Sequence, residues 1–177
     1  MDELRELKKR LEQERPVDWG EMPDIALYMD QVISYLPRQH IRFEEGEVLT
    51  SAMVNNYIKE GLLPRADGKR YSRTHLGYLT AISTLKQVLS VRDMGALIGV
   101  GESGHTPEEL YAAFQRELDR ALTDTAGHIP EELPPEDLPR LALALAVRSY
   151  ADRLACQRII DLIRPEEPEK KRKNKQK

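Results

Sequence analysis

One cysteine, one tryptophan and two phenylalanines are all that the 177 residues contain of these types. A lone Cys156 excludes an intrachain disulfide framework and reads as a small core residue. No stretch of about 18 apolar residues occurs, so no membrane span is expected. The first residues, MDELRELKKRLEQER, are charged throughout, unlike a secretory signal, and cytoplasm is the expected compartment. The four histidines, His40, His75, His105 and His128, are scattered. None stands in an HExxH pattern or near the cysteine at ligand spacing, so no metal, no cofactor and no catalytic centre are expected. The acid pairs Glu108-Glu109 and Glu131-Glu132 fall at helix starts, where the helix dipole and solvent account for them. Gly99, Gly101 and Gly104 lack the Lys-Ser/Thr of a phosphate-cradling loop and read as a linker.

Leucine, alanine and glutamate are plentiful instead, a composition that favours helices. The net charge of −3 is unevenly spread. Residues 50–90 carry six basic against two acidic side chains, whereas residues 91–169 carry eight against sixteen. A basic island in an acidic chain is what an electrostatic footprint for nucleic acid predicts. That island is the stretch Leu49–Ser90, which reads as helix, short basic turn, helix. Thr50 is placed to cap the first helix. Met53, Val54, Tyr57 and Ile58 form an apolar stripe at helical spacing. Gly61 suits a left-handed helix end, and Pro64 blocks resumption. Asp67-Gly68 signals a turn. Ser72 is the next N-cap, and Leu79, Ile82, Leu85 and Leu89 mark one face of a long helix.

The phrases MVNNYIKEGLLP, KRYS and HLGYLTAISTLKQVLS resemble the winged helix-turn-helix head of MerR-type bacterial regulators. With PDIALYMDQV before them, they are more closely similar to the domain-of-unknown-function family numbered 1836, over roughly Pro16 to Gly99. The resemblance implies an all-α fold with at most a minimal β wing, a recognition helix at Thr50–Gly61 and a wing at Arg65–Tyr71. It implies DNA contacts by Ser51, Asn55, Asn56 and Lys59 on the helix, and by Arg65, Lys69, Arg70 and Arg73 on and beside the wing. Side-chain amides such as those of Asn55 and Asn56 can read an adenine edge, and lysines and arginines hold phosphate. Two departures stand out. The resembled regulators carry arginine at the position of Asn55, and they join their first two helices tightly. Here thirteen residues separate Leu36 from Thr50.

Elsewhere, Asp2–Arg15 reads as a short polar helix, and Trp19 as a docking anchor. Pro23–Leu36 reads as a core helix with Ile25, Tyr28, Met29, Val32, Ile33 and Leu36 inward. Ser90 and Asp93 start another helix that runs to Ile98, and Thr106-Pro107-Glu108-Glu109 starts the next. A last helix from Glu136 to Arg164 is expected to have little exposed surface. The charged tail is expected to be disordered. The resulting domains are an N-terminal helix (1–15), a MerR-like head (16–99), a C-terminal helical unit (106–164) and a basic tail (165–177). The expected function is transcription regulation by a DNA-binding homodimer that pairs through the C-terminal helices. The alternatives are a protein-interaction module on the same scaffold and, with less behind it, a small-molecule pocket between the two units.

Overall fold

Every residue from His75 to Ile82 is buried, so the helix that carries them is the axis of the molecule. The computed structural model describes residues 2–41, 49–98 and 104–164. They form seven α-helices: α1 (Asp2–Gln13), α2 (Met29–Tyr35), α3 (Ser51–Lys59), α4 (Arg73–Leu85), α5 (Val91–Ile98), α6 (Pro107–Gly127) and α7 (Leu138–Ile163). The fold is all-α. The β pairing among the described residues is two isolated antiparallel bridges, Leu27 with Tyr71 and Asp67 with Arg70.

The middle of α4, from His75 to Ile82, is buried on all sides and mostly apolar, whereas Arg73, Thr74, Ser83 and Thr84 at its ends are half-buried. The buried Thr80 hydroxyl within it donates to the Leu76 carbonyl at 2.9 Å. Gly77 is the closest approach. The Trp19 ring lies where a Cβ would stand, 2.8 Å away, and Tyr111 of α6 comes to 3.4 Å. Tyr111 is fully buried, and its hydroxyl donates to the Val17 carbonyl at 2.8 Å. Trp19 thus docks the connector onto α4 and α6, as its size suggested. Burial pushes the Tyr111 hydroxyl well above the usual phenol range, so it stays protonated and donating.

Local signals set most helix ends. The Thr106 hydroxyl accepts from the Glu109 N–H at 3.2 Å, while the Glu109 carboxylate accepts from the Thr106 N–H at 2.8 Å. Ser90 and Asp93 make the same reciprocal pair at the start of α5. Around α4, α1 packs on α6, and α5 meets the C-terminal end of α7. Tyr111 and Ile160 belong to the same buried cluster as α4, so one core runs through the head and the C-terminal unit.

Three expectations are corrected. The segment Pro23–Leu36 is helical only from Met29, followed by a 3-10 turn over Leu36–Gln39. Before it the chain bends at Asp24 and Ile25, and Leu27 pairs its backbone with Tyr71. Ile25 is 71% exposed and Tyr28 49%, so neither is core. The long helix after Ser72 stops at Leu85, and Leu89 is buried from the turn beyond it. The last helix is largely exposed rather than covered: of α7 only Ile160 is buried. The glycine-rich linker lies mostly, and the basic tail wholly, outside the described residues.

Gly77→Ala puts a methyl group into the Trp19 ring. It is expected to destabilise the protein by about 1–3 kcal/mol, the cost of overpacking a filled core. Urea unfolding followed by Trp19 fluorescence measures it.

Candidate nucleic-acid interface

The α3 helix begins where the sequence places it: the Thr50 hydroxyl accepts from the Met53 N–H at 3.3 Å. It ends at Gly61, whose φ is +74°. The Gly61 N–H donates to the Ile58 carbonyl at 3.2 Å and the Leu62 N–H to the Tyr57 carbonyl at 2.9 Å, the paired bonds of a left-handed C-terminal cap. Val54, Tyr57, Leu62 and Leu63 face the core and fix the roll of the helix. Ser51, Asn55, Asn56 and Lys59 are left exposed.

A hairpin follows. Asp67 and Arg70 exchange backbone hydrogen bonds of 3.2 and 2.8 Å around Gly68 and Lys69. Both central residues have positive φ, +52° and +74°. That is the turn whose twist suits a hairpin, and glycine or asparagine normally fills its second position. Lysine there carries a cost on the order of 1 kcal/mol. The strained lysine sits at the exposed tip. The hairpin is tied down by Tyr71, which exchanges bonds of 2.9 and 2.8 Å with Leu27 and packs edge-on against His75.

His75 is buried at the first turn of α4. Its Nδ1 accepts from the Ser72 N–H at 2.9 Å, and its Nε2 lies 3.4 Å from the Arg65 carbonyl. A capping acceptor at Nδ1 requires the neutral ring with the proton on Nε2. Burial pushes its pKa below the ordinary value, and the backbone carbonyls near Nε2 only partly oppose this.

Ser51, Asn55 and Lys59 of α3 and Arg65 and Lys69 of the hairpin line one open groove of about 760 Å³, floored by Met29, Ile58, Ala66 and Tyr71. Five of the eight sequence-predicted contacts therefore converge. The other three do not line it. Asn56 is exposed elsewhere on α3. Arg70 turns away to the Tyr28 ring, 5.3 Å from its centroid and 3.2 Å from the hydroxyl. Arg73 is half-buried and clips the start of α4 to the connector through Asp24 and the Met22 carbonyl, both at 3.2 Å. Sequence reasoning missed Met29, Ile58, Ala66 and Tyr71 as groove residues; the KRYS phrase marked Tyr71, but only the pairing with Leu27 shows where it faces. A separate cavity of about 700 Å³, lined by Leu36, Gln39, Thr84 and Leu122 among others, holds none of the predicted residues. Among the described residues no three His, Cys, Asp or Glu side chains converge as metal ligands do, and no helix is long and apolar enough to cross a membrane.

A short exposed helix, a strained basic hairpin and a buried axial helix make this an all-α protein with an open polar groove on its head. Residues 17–114 match the family described as Domain of unknown function (DUF1836), and the chain belongs to that family. The match ends inside α6 at Phe114, which packs on Tyr111. No curated protein matches the chain, and no solved structure does.

The His75 geometry predicts a pH dependence with a definite sign. The folded state holds His75 neutral below its ordinary pKa of about 6.5. The unfolded chain takes up that proton first. The stabilisation is thus complete above that pH and is lost as pH falls towards the lowered folded value, with a slope of at most about 1.4 kcal/mol per pH unit. His75→Gln keeps an acceptor for Ser72 and is expected to remove this component, measured as unfolding midpoints between pH 7.5 and 4.5.

Proposed function

We propose that this protein binds double-stranded DNA, with α3 presented to a groove and the hairpin to the adjoining phosphates, in the service of transcription regulation. The observation that carries this reading is the convergence of Ser51, Asn55, Lys59, Arg65 and Lys69 on one open groove. The order of helix, hairpin wing and second helix supports the MerR-like reading of the head. The basic excess of residues 50–90 supports an electrostatic footprint on phosphate. Lys69 adds a further argument. A strained non-glycine residue at an exposed tip has no packing to explain it, and such strain collects at functional positions. Asn55 offers both a donor and an acceptor to a base edge, and Lys59, one helical turn on, offers a cation to the backbone.

A second reading has its own observation. Ile25 and Tyr28 are exposed near the hairpin, with Arg70 stacked on the tyrosine. An exposed aromatic and arginine pair is typical of a protein-binding surface.

A salt titration separates the two. Lys69→Gly removes the charge while relieving the backbone strain, so the hairpin keeps its shape; Lys59→Ala removes the second cation. Wild type is expected to bind random duplex with an affinity that falls steeply with salt. The double variant is expected to lower the slope of log K against log salt by about 2, one for each lost phosphate contact. Equal slopes for the two proteins, or no binding by wild type at about 50 mM salt, would remove the DNA reading and leave the Tyr28 face as the functional one.

A further inference from the structure

The helix α7 is 26 residues long, and only its C-terminal end, through Ile160, reaches the core. Arg164 holds that end to Asp93 of α5. Further up, Arg148 touches the His128 ring. On the same side Leu141 and Leu145 are half-buried, and the opposite side is open. Leu143, Val147, Tyr150 and Leu154 keep 65%, 58%, 66% and 56% of their surface exposed. Their spacing of four, three and four puts them on one seam, the pattern with which one helix meets another. A soluble helix that shows such a seam to water is missing a partner.

The seam reads nearly the same in both directions. About the midpoint between Arg148 and Ser149 the seam positions pair Val147 with Tyr150 and Leu143 with Leu154, with Ala146 and Ala151 beside them, while the unlike pairs Leu145/Asp152 and Ala144/Arg153 lie off the seam. A two-fold interface uses the same patch on both subunits, so a self-complementary seam is what a second copy requires. We propose that α7 pairs with α7 of a second copy of this chain, antiparallel, with the two-fold axis at that midpoint. Val147 then faces the partner copy's position 150, and Leu143 its position 154. The alanines beside the seam let the helices approach closely. Contact over residues 138–159 of α7 runs roughly 33 Å at 1.5 Å per residue. That is long enough for the buried area of about 1,000 Å² at which specific interfaces begin. The proposal stands on α7 alone and does not depend on what the head binds.

Sedimentation equilibrium of the full chain tests it. Wild type is expected to be a dimer at about 100 µM, a concentration well above the Kd of ordinary specific pairs. Val147→Glu alone and Tyr150→Lys alone are each expected to weaken the dimer by roughly a hundredfold or more, since each buries an unpaired charge. The double variant V147E/Y150K is expected to recover it, because the two positions face each other across the axis. A monomeric wild type overturns the proposal. So does a double variant that stays monomeric, since parallel pairing sets each position against itself. Leu143→Cys/Leu154→Cys in a Cys156→Ser background tests the register without any buried charge. Oxidation is expected to give a covalent dimer, and failure to cross-link overturns the register.

Discussion

Two backbone hydrogen bonds between Leu27 and Tyr71 govern the geometry of the head. They join the connector before α2 to the base of the hairpin, in a molecule otherwise built from helices. Besides them the hairpin is held through side chains, by Arg70 on Tyr28 and by His75 near the Arg65 carbonyl. With them, Tyr71 is buried against His75, and His75 in turn caps α4 and reaches back to the Arg65 carbonyl. The hairpin therefore has a fixed attitude towards α3, and a groove exists between them. Rigid support of this kind is what gives an exposed constellation of side chains a definite shape.

The same constraint explains which arginines are available. Arg73 pairs with Asp24 on the connector that the Leu27–Tyr71 pair holds in place. Arg70 follows the hairpin strand to the outer side and stacks on Tyr28 of the same connector. The groove is left with Lys59, Arg65 and Lys69 as its cations.

The sequence disclosed what is local. Thr50, Gly61, Ser90 with Asp93, and Thr106 with Glu109 each act within four residues, and each cap stands where its residue types place it. The hairpin was legible from Asp67-Gly68, though its centre is Gly68-Lys69; nothing in the sequence shows that a lysine takes the left-handed position. The segment Pro23–Tyr28 is not helical although its apolar residues recur at helical spacing, because a long-range backbone pairing overrides that pattern. The exposure of α7 was misread for a related reason. Leucine and alanine specify a helix, but whether a helix is covered depends on what packs beside it. Five groove residues were found from side-chain chemistry and resemblance. Asn56, Arg70 and Arg73 do not join them: Asn56 is exposed elsewhere on α3, and Tyr28 and Asp24, distant in sequence, hold the two arginines.

The central claim is that the groove between α3 and the hairpin meets nucleic acid. Amide hydrogen exchange of the full chain, with and without a duplex at low salt, tests it most directly. The account predicts slowed exchange across residues 51–71 when the duplex is added, with amides of 138–164 unchanged. Protection confined to α7 or to the residues after Arg164, with 51–71 exchanging as in the free protein, would contradict it.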